Sequence, residues 1–175
     1  MFYTLSMKYP LPYDKQFARD EGVCVFVDIT DVVTGKTVTD NQLESGKIYR
    51  ARVTVSTTKD RTFVALRVPI PSGAEILNAA FATTTQFAGT ALAEQEKDDG
   101  RSVYERYNFG LSSQEIYDNE VRYFWDTFPK GRQQVEFMFR AVRNGEFNVP
   151  SATAECMYEP EIFGRSKGGV FVISK

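Results

Sequence analysis

The stretch that decides the fold covers residues 118–165 and reads DNEVRYFWDTFPKGRQQVEFMFRAVRNGEFNVPSATAECMYEPEIFGR. Apolar residues occupy every second position over residues 121–125 (Val, Tyr, Trp) and again over residues 135–141 (Val, Phe, Phe, Ala). A period of two is typical of strands with one buried face. The apolar side chains of the second segment share one face, which predicts that Val135, Phe137 and Phe139 lie in the core.

Turn residues separate the apolar segments of this stretch. A Pro-Lys-Gly turn is predicted at residues 129–131 and an Arg-Asn-Gly turn at residues 143–145, since Asn-Gly readily adopts positive φ. A third apolar segment covers residues 147–158 and is expected to end at Pro160, which lacks a backbone donor. The pattern therefore predicts a meander of three antiparallel strands.

Similar alternation predicts further strands, clearly over residues 23–29, 49–55, 62–68 and 169–173, and more weakly over residues 2–9, 74–78 and 104–109. Polar loops are predicted at residues 41–47 and 110–113. Residues 88–99 are rich in Ala, Glu, Gln and Lys, which favours a short helix. Many short strands with turns between them are typical of an all-β, antiparallel β-sandwich. At this length we expect residues 1–175 to form a single domain.

The composition excludes several classes of function. The sequence contains no histidine, which is the usual general base, a common zinc ligand and the usual activator of serine and cysteine nucleophiles. We therefore expect no enzymatic activity, no metal and no cofactor. The net charge of −2 argues against nucleic acid as a partner. No apolar run approaches the ~20 residues of a membrane span, so we expect no membrane insertion by this segment.

Two groups of side chains leave alternatives open. Cys24 and Cys156 allow one disulfide at most, and the sequence does not decide whether it forms. Cationic residues gather near one predicted hairpin, as either a salt-bridged solvent face or an interdomain contact. They are Arg50, Arg52, Lys59 and Arg61.

Several motifs in the same order carry a resemblance to a known family. Near the chain end these are Arg140-Ala141, Gly145-Glu146-Phe147 and Met157-Tyr158-Glu159-Pro160, preceded by LESGKIYRARVTV at residues 43–55 and RVPIPSGAEILN at residues 67–78. The chain resembles the C-terminal macroglobulin domain of bacterial alpha-2-macroglobulin-like proteins. The resemblance covers residues 42–78 and 118–175, about half of the chain. It implies an antiparallel sandwich of fibronectin-like arrangement.

The resemblance also implies a function. The parent protein would be a protease inhibitor of the periplasm or cell surface that traps a protease after the protease cuts a bait segment. This chain would then be a non-catalytic piece of a much longer secreted protein, although no signal peptide pattern is visible at its start. Neither cysteine lies in a Cys-x-Glu-Gln motif. The family's thioester would therefore belong to another domain of the parent, which this domain contacts and moves against on trapping. The trapped protease would be only an indirect partner.

Met157 and Tyr158 are the residues to which the resemblance assigns a role. In the family, a methionine of this domain packs over the thioester and keeps water from it, and Met157 occupies the matching place. An apolar, flexible side chain dehydrates an acyl group and adds no nucleophile. The alternative is that Met157 fills a gap in the sandwich core. Shielding requires exposure of Met157 in this chain, whereas core filling requires burial.

A second class of function remains possible from the residues alone. The chain would then be a standalone sandwich module for adhesion or carbohydrate binding, with exposed aromatic rings stacking on a sugar. The candidate rings are Phe26, Phe124 and Trp125.

Overall fold

The computed structural model describes residues 3–7, 12–77 and 110–175. These residues form one short 3-10 helix, Tyr13–Lys15, and thirteen strands. The strands are β1 (Arg19–Glu21), β2 (Val23–Asp31), β3 (Gln42–Glu44), β4 (Ile48–Thr57), β5 (Arg61–Pro69), β6 (Ala74–Leu77), β7 (Ser113–Ile116), β8 (Glu120–Phe128), β9 (Gly131–Ala141), β10 (Gly145–Val149), β11 (Thr153–Cys156), β12 (Glu159–Arg165) and β13 (Gly169–Ser174).

The strands form three sheets around a shared core. Their orders are β1-β12-β11-β5-β8-β7, β2-β4-β9-β6 and β10-β13-β3. Among the described strands, every pairing is antiparallel except that of β13 with β3, where Val172 lies opposite Gln42 in a parallel register. The predicted all-β antiparallel sandwich is confirmed, and each of the strands predicted most clearly is present.

The predicted meander is wrong, because β8, β9 and β10 belong to three different sheets. Strand β8 pairs with β5 and β7, β9 pairs with β4 and β6, and β10 pairs with β13. The turn after Phe128 therefore carries the chain from one sheet to the other, aided by the positive φ of 121° at Gly131. Alternation defines which face of a strand is buried, but it does not define the neighbouring strand.

The predicted third segment also divides into two strands. Strand β10 ends at Val149, and β11 begins at Thr153 in another sheet. Pro160 does not end a strand but lies within β12. The register between β11 and β12 shifts so that Cys156 pairs with Glu159 while Glu155 pairs with Phe163. Pro160 falls in the unpaired stretch between these two pairs, so its missing N–H costs no hydrogen bond of that ladder.

Three smaller predictions are corrected. Residues 3–7 are exposed and form no strand, and residues 42–44 form β3 rather than a loop. The predicted loop at residues 110–113 ends one residue early, because Ser113 begins β7. Strand β3 depends on its pairing with the last strand of the chain, which no local pattern could reveal. The predicted helix at residues 88–99 and the predicted strand at residues 104–109 lie outside the described residues.

The core lies between the six-stranded and four-stranded sheets. Val135, Phe137 and Phe139 of β9 are buried in it, as predicted. From the opposite sheet, β8 contributes Tyr123 and Trp125. The hydroxyl of Tyr123 donates a hydrogen bond to the backbone carbonyl of Glu136 at 3.3 Å. This bond joins the two sheets across the core.

Candidate functional site

Met157 and Tyr158 form the turn between β11 and β12 at one end of the six-stranded sheet. The turn is closed by the pairing of Cys156 with Glu159. On its other side, β11 pairs with β5, where Cys156 lies opposite Val64. The hairpin is therefore held by neighbouring strands, and its two turn residues project from the end of the sheet.

Met157 is 53% exposed and Tyr158 is 75% exposed. The core-filling alternative for Met157 is therefore wrong. Cys156, one position earlier, is buried, because side chains alternate between the two faces of β11. The exposure expected of a shielding methionine is present, while the shielding itself stays a prediction.

Phe63 of β5 completes an apolar cluster at this end of the sheet. Its backbone carbonyl accepts a hydrogen bond from the N–H of Met157 at 2.9 Å. Its ring meets the ring of Tyr158 edge to face, with centroids 5.1 Å apart and planes at 86°. The ring of Phe63 is 43% exposed. We call Phe63, Met157 and Tyr158 the tip cluster.

Sequence reasoning missed Phe63, although one signal for it existed. Within the strand predicted over residues 62–68, alternation places Val64, Leu66 and Val68 on the inward face, so Phe63 belongs to the outward set. A large aromatic side chain on the outward face of a strand indicates a contact outside the core. Its contact with Tyr158, however, depends on the pairing of β5 with β11, which the sequence did not show.

Arg61, two residues before Phe63, and Cys156, directly before Met157, adjoin the tip cluster. Nη1 of Arg61 lies 3.9 Å from Oε2 of Glu159. The Nε atom of Arg61 is buried and has no hydrogen-bond partner within the part of the chain that the structure describes. Burial raises the pKa of the Cys156 thiol, and the positive charge of Arg61 offsets only part of this effect. Cys156 is therefore held as a buried, neutral thiol, which is a poor nucleophile.

The structure decides the alternative left open for the cysteines and shows ion pairs for three of the four cationic residues. Both cysteines are free thiols, with Cys24 exposed and Cys156 buried, so no disulfide joins them. Nε of Arg52 lies 2.5 Å from Oε1 of Glu136, and Nε of Arg50 lies 3.7 Å from Oε2 of the same carboxylate. With the contact of Arg61 to Glu159, this agrees with a salt-bridged surface.

The hypothesis that Phe26, Phe124 and Trp125 form an exposed platform for a sugar is wrong for Trp125, the largest of the three side chains. Trp125 is only 2% exposed and packs edge to face on Phe128 in the core, with centroids 5.3 Å apart. Phe26 is exposed, but it lies on β2 in the four-stranded sheet, whereas Phe124 lies on β8 in the six-stranded sheet. The three rings do not share a surface, because two sheets carry them and one is buried.

Within residues 3–7, 12–77 and 110–175, no three Cys, Asp or Glu residues are grouped so that they could hold a metal ion. In the same ranges, the one helix has three residues, Tyr13–Lys15, and is too short to cross a membrane.

The sheets and their shared core define an antiparallel β-sandwich domain. The family model described as "Bacterial Alpha-2-macroglobulin MG10 domain" matches residues 22–161. The chain therefore belongs to the family of bacterial alpha-2-macroglobulin MG10 domains. This confirms the resemblance seen in the sequence.

Similar proteins agree with this assignment. An alpha-2-macroglobulin homolog of Nostoc sp. is 26% identical over 124 residues, which cover 71% of this chain and 6% of the relative. The structure of Escherichia coli alpha-2-macroglobulin activated by porcine elastase is similar with a TM-score of 0.73 and 16% identity, over 91% of this chain and 14% of that one. The structure of Salmonella alpha-2-macroglobulin reacted with methylamine is similar with a TM-score of 0.67 and 16% identity, over 90% of this chain and 10% of the Salmonella chain. The chain thus spans a small part of the proteins it matches.

Proposed function

We propose that this chain is the C-terminal, non-catalytic domain of a bacterial protease inhibitor of the alpha-2-macroglobulin type, and that its tip cluster shields the thioester of a neighbouring domain. The observation that carries the proposal is the exposure of Met157 and Tyr158 at the end of a well-packed sheet. Exposed apolar side chains that lie together, as those of the tip cluster do, mark a contact with another surface.

The chemistry of the tip cluster suits a shield. A thioester is lost when water or an amine reaches its acyl carbon, so a side chain that excludes water prolongs its life. The thioether of Met157 fills space and adds no nucleophile. The one thiol near it, Cys156, points into the core and stays protonated, because burial raises its pKa. The tip therefore presents apolar surface without offering the thiolate that would exchange with a thioester.

The relatives extend the proposal to the parent protein. The E. coli relative is described as activated by a protease, porcine elastase, and the Salmonella relative as reacted with methylamine. By analogy, the parent of this chain is cut by a protease and carries an acyl group that a small amine attacks. This domain rests against the thioester domain in the native state and moves away on trapping. The trapped protease is met indirectly, in the periplasm or at the cell surface.

Replacement Met157→Ala in the full-length parent tests the shield. We expect free thiol to be released about tenfold faster during incubation with methylamine, which corresponds to ~1.4 kcal/mol less protection of the acyl carbon. Thermal stability of the chain should change little, because trimming a half-exposed side chain leaves no internal cavity. Thiol release followed with a chromogenic disulfide reagent, beside thermal unfolding, measures both quantities.

The matched control is Met138→Ala, which removes a methionine from the outer face of the other sheet. It should leave thiol release unchanged. If Met157→Ala released thiol at the wild-type rate, or if methylamine released no thiol from the parent at all, the shielding role would be refuted.

A further inference from the structure

The backbone of Phe63 adopts a conformation that its side chain disfavours. Its φ is +52°, and among the described non-glycine residues only Asn41 shares the positive sign. Asparagine tolerates this region because its short polar side chain can bond locally. A phenylalanine there is an outlier, because its Cβ crowds the following carbonyl oxygen. Such a conformation persists only where the surrounding structure imposes it, and it is found most often at functional sites.

The neighbours of Phe63 show what the conformation achieves. Thr62 pairs with Thr127 and Val64 with Trp125, so β5 keeps its register on both sides of Phe63. Phe63 itself forms no pair with β8 at this point. Its carbonyl is directed instead to the N–H of Met157, and its ring lies against Tyr158. The bond to Met157 continues the register of β5 with β11, in which Cys156 lies opposite Val64. Phe63 thus leaves the pairing with β8, while its carbonyl and its ring both contact the hairpin tip.

We propose that Phe63 is a positioning residue that holds the backbone of Met157 and the ring of Tyr158 in one arrangement before any partner binds. The identity of that partner, the thioester domain, rests on the proposed function. Without Phe63, two exposed side chains on a tight turn would sample several rotamers, and a partner would have to order them on contact. Holding them in advance removes this entropic cost, so the contact is tighter for the same apolar area.

The substitution Phe63→Gly separates positioning from ordinary structural support. Glycine accepts a φ of +52° without strain but provides no ring. Relief of backbone strain raises the stability of the chain, whereas loss of the ring contact lowers it. Because the two effects oppose each other, the melting temperature should stay within ~3 °C of wild type. The tip, in contrast, should loosen. We expect the Met157 amide to exchange with solvent about tenfold faster and the Tyr158 ring signals to lose the shift caused by the Phe63 ring.

The matched control is Phe26→Gly, the same chemical change at an exposed phenylalanine of β2. Phe26 does not share the positive φ of Phe63, so glycine relieves no strain there and weakens the strand. We expect Phe26→Gly to lower the melting temperature while the NMR signals of Met157 and Tyr158 stay unchanged. The inference is overturned if Phe63→Gly lowers the melting temperature as Phe26→Gly does and leaves the tip signals in place.

A second measurement distinguishes this inference from the shielding function. In the full-length parent, Phe63→Gly should accelerate methylamine-induced thiol release in the same direction as Met157→Ala, with a smaller factor. If Met157→Ala accelerates release and Phe63→Gly does not, positioning by Phe63 is refuted and the shield stands. If Met157→Ala has no effect, the shield is refuted. The amide exchange of Met157 and the ring signals of Tyr158, measured on this chain alone, still decide whether Phe63 orders the tip.

Discussion

The substitution Gly164→Ala is expected to destabilise the domain by about 3 kcal/mol or more, because the added methyl group has no space. A Cβ at this position would lie 1.7 Å from the carbonyl oxygen of Val23 and 2.7 Å from its carbonyl carbon. Both are backbone atoms, which cannot rotate away as a side chain would. Strand β12 crosses the start of β2 here, so the two strands would have to separate. Because β12 also carries one side of the hairpin, the tip cluster would be disturbed with it.

Thermal or urea unfolding of the chain measures this effect. A loss of about 3 kcal/mol corresponds to a fall of roughly 10 °C in melting temperature for a domain of this size. The matched control is Gly46→Ala, where φ is +87° and no atom lies within 4 Å of the added carbon. There only backbone strain is added, and ~1 kcal/mol is expected. Equal losses of stability for the two variants would show that the close approach of β12 to β2 does not exclude a side chain at Gly164.

The substitution Glu120→Gln is expected to cost ~2 kcal/mol at neutral pH. Glu120 is only 3% exposed, and its carboxylate accepts hydrogen bonds from Nε of Arg67 and from Nε of Arg122, the latter at 2.7 Å. Glutamine would remove the negative charge that two guanidinium groups share. The cost stays below that of a fully buried pair, because both arginine side chains are more than a third exposed and water screens them.

The same carboxylate gives a pH dependence of defined sign. Burial acts to raise the pKa of Glu120, but the hydrogen bonds and charges of Arg67 and Arg122 together outweigh burial and lower the pKa below its usual value of 4.5. A lowered pKa in the folded state means that this stabilisation is present above pH 4.5 and is lost as the pH falls through the folded-state pKa. The free energies of unfolding of wild type and Glu120→Gln should therefore converge on acidification.

Urea unfolding of both chains at a series of pH values between neutrality and pH 3 tests this expectation. The exposed Glu146→Gln is the matched control and should follow wild type throughout. A difference between Glu120→Gln and wild type that persists unchanged at the lowest pH would show that the lost stability comes from packing rather than from the charge of Glu120.

Much of the fold could be predicted because alternation reports burial directly. Val135, Phe137 and Phe139 were assigned to the core from spacing alone, and they are buried. The pairing of strands could not be predicted in this way. Strand β9 pairs with β4, where Val53 lies opposite Val135, although the two residues are far apart in sequence and β8 is nearer. Partner choice follows from the packing of two sheets, which a local pattern does not contain.

The candidate site was only partly accessible from sequence. Met157 and Tyr158 were found through family motifs, and their exposure agrees with that assignment. Phe63 was missed because its role depends on a positive φ, which no phenylalanine predicts. Trp125 was assigned to an exposed platform although it alternates in step with Val121 and Tyr123, both of which are buried. Here the periodicity was the better guide than the aromatic character of the residue.

The contact of the tip cluster with the thioester domain is tested most directly by cross-linking in the full-length parent. A photoreactive p-benzoylphenylalanine is placed at position 158, the native protein is irradiated, and the cross-linked peptides are sequenced by mass spectrometry. We predict a cross-link to the peptide that carries the Cys-x-Glu-Gln motif, absent when the probe stands at position 26 and lost after a protease has cut the bait segment. Cross-links from position 158 that never reach the thioester domain would contradict the account.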